Sequence, residues 1–213
     1  MPKPSSHPRP GRPVDPEKIE RILDHALQSI AEGDLQFGME SVARRAGVAK
    51  STLYRHFDNA DGLLKAVLER QHRALVGNGP EPFSSLEGLR EQLLNLGHQL
   101  LDFLASEEGI KIMRAVIAHG ARHGAHGQMI YQDGPIAFVR RAEECLRHAV
   151  EQGQISVDDP AMAAEQLVGM WKGCMLNGLL MNGRPLPDQA ERQLRIESAV
   201  DLFLRATTRL PAQ

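Results

Sequence analysis

Apolar side chains return at steps of three and four along nearly the whole chain, and no stretch alternates convincingly with a step of two. The first spacing puts them on one side of a 3.6-residue helix, whereas a half-buried strand needs alternation. The chain is therefore expected to be all-α, with about nine helices. Ile19, Ile22, Leu23, Ala26, Leu27 and Ile30 form the first stripe, behind Asp15-Pro16, a capping residue followed by one suited to the first helical position. Two short helices follow, from about Met39 to Ala46 and from about Lys50 to Phe57, with Gly47 between them. Asn59 can cap a fourth, reaching about Val76.

The string G-N-G-P-E-P at residues 77–82 is the clearest interruption. It divides a flexible basic arm (1–14) and a first domain (15–76) from a second domain (83–209). Five further helices are expected there. Ser84 and Glu87 have capping-box spacing ahead of Leu89, Leu93, Leu96, Leu100 and Phe103. Ile110, Met113, Val116 and Ile117 mark the next helix, and the Gly- and His-rich residues 120–134 are expected to contain a bend. A helix from Ile136 to Val150 ends at Gly153. Asp159-Pro160 opens another, through Trp171, and Asp188 with Glu191 opens the last.

Charge is informative only when located. The chain carries −2 overall with a pI of about 6.5, which argues against a nonspecific DNA-packaging role. Residues 1–57 nevertheless hold nine Lys and Arg against seven Asp and Glu, and Arg44, Arg45, Lys50 and Arg55 gather around Gly47. Clustering of this kind makes a phosphate footprint. Cys145 and Cys174 match no metal or redox spacing, residues 1–16 have no apolar core of a signal peptide, and no apolar run approaches a membrane span. A cytoplasmic protein with no membrane partner is expected.

Around Gly47, several positions have separate physical reasons. Ala43 is small where a second helix would cross, Gly47 leaves the first helix in a left-handed turn, and Val48 plugs the space between the two. Leu53 and Phe57 turn the second helix toward the core. Lys50, Ser51, Thr52, Tyr54, Arg55 and His56 remain for its outer side and its start. A major groove admits one α-helix, and donors near its N-terminus reach bases and phosphates. The plain alternative is a solvated basic helix with a glycine stop. It does not account for all these positions falling within fifteen residues.

The stretch V-A-R-R-A-G-V-A-K-S-T-L-Y-R-H-F, residues 42–57, resembles the DNA-binding signature of TetR-family regulators, roughly I-A-x-x-A-G-V-S-x-G-T-L-Y-x-H/Y-F. Gly11-Arg12-Pro13, Ile22-Leu23…Ala26 and Leu63-Leu64 also fit. Further on, A-V-I-A-H-G-A-R-H, Gln132-Asp133-Gly134-Pro135 and G-Q-I…D-D-P-A-M-A-A resemble the AefR-like branch of that family's C-terminal domains. The resemblance implies a homodimeric, ligand-responsive regulator, most often a repressor, on a pseudo-palindromic double-stranded operator. Lys50, Ser51 and Thr52 would approach bases or phosphates, and Tyr54 and His56 would hold the backbone. Arg44 and Arg45 lie on the preceding helix, and Arg12 could reach the DNA from the arm. Three residues depart from the pattern. Ala49 lacks the usual serine hydroxyl, a cap worth roughly 0.5–2 kcal/mol. Ser51 replaces a common glycine and adds a donor, and Ala60 replaces a frequent lysine.

The resemblance further implies dimerisation through the last two helices and a cavity among the fifth to eighth. Gly169, Gly173 and Gly178 each cost roughly 1 kcal/mol within a helix, which a close backbone neighbour would explain. Gly169, Gly173, Leu176 and Leu180, with Ile196, Val200, Phe203 and Leu204, are the expected dimer seam, although a monomer core would use the same pattern. Phe103, Met113, Val116, Ile117, His119, Met129, Tyr131, Trp171 and Met175 are the expected lining for a small, mainly apolar effector. His119, His123 and His126 raise a second reading, a metal-responsive regulator or a metal-dependent enzyme, since imidazoles four apart share a helix face. Gly120, Gly124 and Gly127 weaken that helix, and no cysteine or acid lies nearby in sequence. With no carboxylate base at motif spacing and no phosphate-cradling loop, neither metal, cofactor nor catalysis is expected.

Overall fold

A computed structural model describes residues 16–32, 38–76, 82–121 and 124–208, without the side chains of residues 72, 74–76, 119 and 126. Arg12, Asp15, Gly33 and most of the Gly-Pro break at residues 77–82 lie outside these. The described residues form helices and no strand: α1 (Pro16–Ala31), α2 (Met39–Arg45), α3 (Lys50–His56), α4 (Ala60–Val76), α5 (Leu86–Leu104) and α6 (Glu107–Gly120). They continue as α7 (residues 124–151), α8 (Pro160–Leu180) and α9 (Gln189–Thr207). The expected class and number of helices are those observed.

Local chemistry sets the ends. The Asn59 carboxamide accepts from Gly62 N at 2.9 Å, and the Asp159 carboxylate accepts from both Ala161 N and Met162 N. Asp188 accepts from Glu191 N at 2.8 Å. Each satisfies donors that a helix start leaves unpaired. At α5 the cap is Ser85, whose hydroxyl accepts from Gly88 N at 3.1 Å, one residue beyond the expected Ser84. Ser85 is the last extended residue, so it alone points its oxygen back at the helix.

Much of the stretch expected to bend, residues 120–134, is helical. α6 runs to Gly120, α7 resumes at Gly124, and Gln132–Ile136 remains helical as a π turn containing Pro135. Proline has no N–H and its ring crowds the preceding turn, so one wider turn accommodates it without ending the helix. α8 carries the sharper irregularity. Gly173 sits at φ 45° and ψ −157°, outside the helical region, and kinks α8 there.

Two apolar clusters hold these helices. The first joins α1 to α4 through Ile22, Ile30, Val42, Leu53, Leu63 and Val67, and takes in Ile112, Ala115 and Val116 from α6. The second is built by α5, α7, α8 and α9 around Leu93, Leu101, Leu146, Leu167, Trp171 and Ile196. Phe103 and Met113 pack against both. Polar ties reinforce the joints. Arg70 on α4 donates to Asp24 and Glu20 on α1 at 2.8 and 3.0 Å. Arg114 on α6 donates to the carbonyls of Leu179 and Leu180 and to the Asn182 side chain, capping the end of α8.

Candidate nucleic-acid interface and interhelical cavity

The turn between α2 and α3 is a glycine-terminated helix end. Gly47 has φ 65° and donates to Arg44 O at 3.2 Å, while Val48 N donates to Ala43 O at 3.0 Å. This pair of bonds satisfies the last carbonyls of α2 and redirects the chain. Ala43 is buried, Val48 is half-buried against the first cluster, and Leu53 and Phe57 anchor α3 inward. Ala49, the residue before α3, provides no side-chain cap, and its carbonyl takes Thr52 N and Leu53 N.

With Leu53 turned in, α3 presents Lys50, Ser51, Tyr54 and Arg55 to solvent, with Thr52 and His56 half-buried. Tyr54 is 48% exposed, unusual for an aromatic ring on a helix whose other apolar side chain is fully buried. Arg44 and Arg45 are exposed on α2. Two acids not anticipated from the sequence modify this surface. Lys50 pairs with Glu40 on α2, and Arg45 donates to Glu32, just past α1, at 3.0 Å. Arg44 and Arg55 form no ion pair with any described residue. Among the described residues, the surface therefore has both unpaired and internally neutralised cations.

Where the two apolar clusters meet lies a cavity of about 160 Å³. Its walls come from both halves of the chain: Leu27 and Ile30 of α1, Leu68 and Gln71 of α4, Phe103 of α5, Met113 and Val116 of α6, Ile130 and Phe138 of α7, and Val168, Lys172 and Leu176 of α8. Among the described residues, only Gln71 and Lys172 contribute polar side chains. Phe103, Met113 and Val116 were expected here.

Other expected lining residues lie elsewhere. Ile117 and Tyr131 are 51% and 52% exposed, because each is on the outward side of its helix. Trp171 and Met175 belong to the second apolar cluster, and Trp171 is 0% exposed beside Gly97, where a Cβ would stand 3.2 Å from its ring. Met129 packs against the first cluster without reaching the cavity. Lys172 lines the cavity without having been among the expected residues. It is the lone cation in the apolar run Leu167–Leu180, placed where burial pushes its pKa down while the Glu165 carboxylate opposes the shift.

The expected dimer seam also divides. Ile196, Val200, Phe203 and Leu204 are buried in the chain's own core, since they form the inward side of α9. Leu176 lines the cavity, and Leu180 is half-buried against the core. Gly169 and Gly173 are exposed. No backbone of the described chain closes on either, and Gly178 faces the Arg184 side chain instead. Gly173 is explained by its left-handed φ. Leu194 and Leu202 are exposed on α9, and Leu202 lines a groove with Met162, Gly169 and Met170 of α8. Those two leucines, eight apart, were legible in the sequence as a second stripe.

The side chains of His119, His123 and His126 lie outside the described residues. Among the described residues, no group of three or more His, Cys, Asp or Glu is arranged to hold a metal ion, and no helix is long and apolar enough to cross a membrane.

Comparison with known proteins agrees with this geometry. Residues 22–67 match the domain of bacterial regulatory proteins of the tetR family, and residues 91–207 match the C-terminal domain of AefR-like transcriptional repressors. The chain is 27% identical over 184 residues to the HTH-type transcriptional regulator SrpR of Pseudomonas putida, covering 84% of this chain and 81% of that one. A TetR transcriptional regulator from Agrobacterium tumefaciens superposes with a TM-score of 0.75 at 26% identity, covering 92% and 96% of the two chains. The flavonoid-responsive regulator FrrA shares the fold at a TM-score of 0.74 and 24% identity, covering 92% and 100%.

Proposed function

Since the chain belongs to the TetR family of DNA-binding transcriptional regulators, we propose that it is a ligand-responsive repressor that binds a pseudo-palindromic operator as a homodimer. The observation that carries this reading is the outward surface of α3, where Lys50, Ser51, Tyr54 and Arg55 stand clear of a helix anchored by Leu53. Lys50, Ser51 and Thr52 reach base edges or phosphates at the helix start. Tyr54, Arg55 and His56, with Arg44 and Arg45, hold the backbone. Phosphate contacts set register and base contacts set sequence. Arg12 belongs to the same assignment from the arm.

Two copies of α3 must enter successive major grooves, roughly 34 Å apart, so their separation decides specific affinity. A dimer formed through α8 and α9, with Leu194, Leu202 and the Gly169 surface at the seam, fixes that separation. The cavity supports the ligand response, because an occupant would touch α1 and α4 of the reading head and α5 to α8 at once. Such a ligand shifts the equilibrium only by as much as it prefers one arrangement over the other.

Selection of genomic fragments by the purified protein, repeated across salt concentrations, tests the reading. The expected result is a shared inverted repeat with half-sites about one helical turn apart. Enrichment that follows fragment length, with no common sequence, would overturn it.

A further inference from the structure

Lys172 is a poor residue for the wall it occupies. Its neighbours around the cavity include Phe103, Met113, Val116, Ile130 and Phe138, and it makes no hydrogen bond or ion pair with a described residue. Glu165 lies two turns back on the same helix and is exposed. Lys172 is half-buried at this wall. Here desolvation disfavours the charge, as the lowered pKa reflects. Gln71, the cavity's other polar side chain, also has no hydrogen-bond partner among the described residues and stands on α4.

We propose that the cavity takes a monoanionic, otherwise apolar molecule, whose carboxylate or equivalent anion pairs with Lys172 while Gln71 hydrogen-bonds to it. This rests on the reading of the cavity as the effector site and adds the ligand's chemistry. A cation would meet Lys172 with like charge. A neutral apolar molecule would leave the ammonium unpaired, and a dianion would bring more charge than one lysine can offset. The size is bounded as well. About 160 Å³ is close to the roughly 150 Å³ that accommodates a benzene ring, so the body is one aromatic ring or a short acyl chain. Gln71 ties the bound anion to α4, the helix that leads directly from α3 toward the second domain.

Calorimetric titration of the full chain with benzoate, hexanoate, benzamide and hexanamide tests this, the ring and chain arms separating the two body types. One acid is expected to bind once per chain, about tenfold or more tighter than its amide, as a charge-assisted hydrogen bond predicts. Lys172→Met, a change that suits an apolar wall, should abolish that preference, and Lys172→Gln should do the same with folding checked by thermal unfolding. Equal affinity for acid and amide, no binding of either acid at millimolar concentration, or a preference that survives in both variants would overturn the proposal. Release of operator DNA is measured separately. An acid that binds through Lys172 without releasing DNA removes the effector reading and leaves the ligand class standing. Release driven by a neutral molecule alone does the reverse.

Discussion

Glu40 on α2 holds Lys50, the first residue of α3, in an ion pair across the turn at Gly47. The cation proposed to meet DNA at the start of α3 thus carries its own counter-anion, and both side chains are more than half exposed. A phosphate must displace that carboxylate and then tolerate it nearby. Exposed pairs contribute little to stability, typically 0.2–1 kcal/mol. Glu40→Gln should therefore leave the melting temperature almost unchanged while tightening DNA binding by roughly two- to fivefold at low salt, with the gain shrinking as salt rises. Fluorescence anisotropy on specific and unrelated duplexes reads this. Weaker binding by the variant would mean that Glu40 positions Lys50 rather than competing for it.

Gly47 offers a cleaner test of the turn. A Cβ placed there meets nothing within 4 Å, so the cost of a side chain comes from the backbone alone. At φ 65°, an L residue in the left-handed region costs roughly 1–2 kcal/mol. Gly47→Ala should lower stability by about that amount in urea unfolding, and Gly47→Asn should lose less because asparagine tolerates the region. A much larger loss for alanine would indicate a steric role that the geometry does not contain.

The reading head was legible because its rules are local. The small Ala43, the turn at Gly47, the plug at Val48 and the anchors Leu53 and Phe57 all act within one short span, and each has one physical reason. The cavity was not legible in the same way. Its walls come from six helices, and the spacing that marks a buried side does not say which buried side faces empty space. Phe103, Met113 and Val116 were found because they lie where two clusters meet. Trp171 and Met175 share their spacing yet turn into the core, while Ile117 and Tyr131 turn outward. α9 shows the same limit differently. Ile196, Val200, Phe203 and Leu204 form a true apolar seam, but a core and an interface bury the same residue types. Lys172 could have been found by asking why an apolar helix spends one position on a charge.

The two sides of α9 can be separated by mutation. Leu202 is 54% exposed on the outward side, and Phe203 beside it is buried in the core. Leu202→Glu should leave the monomer folded, because nothing of the chain's own core is lost, but should shift sedimentation from dimer to monomer and weaken operator binding with it. Phe203→Ala should instead cost roughly 3–5 kcal/mol through the cavity it leaves. If Leu202→Glu remains dimeric at micromolar concentration, the interface lies elsewhere and the seam assigned to Leu194 and Leu202 is wrong.

The two cysteines predict opposite chemistry from one chain. Cys145 is fully buried on α7, and that burial pushes its thiol up from the ordinary 9.0 to about 11, with the Arg141 guanidinium opposing the shift. Cys174 is exposed on α8, immediately after the kink. Since the thiolate is the reactive form, a disulfide reagent near pH 8 should titrate one thiol per native chain and two in denaturant. Slower labelling of Cys174 at higher protein concentration is expected if a partner covers that side of α8. The raised pKa also fixes a direction for stability. The unfolded thiol loses its proton near pH 9 while the folded one keeps it to about 11, so this contribution is present at neutral pH and is lost as pH climbs through that window. The difference of two pH units corresponds to roughly 2–3 kcal/mol at most. Urea unfolding at pH 8 and pH 10.5 should therefore show a smaller loss in Cys145→Ala than in the parent chain. Equal losses in the two proteins would show that Cys145 does not govern the alkaline slope.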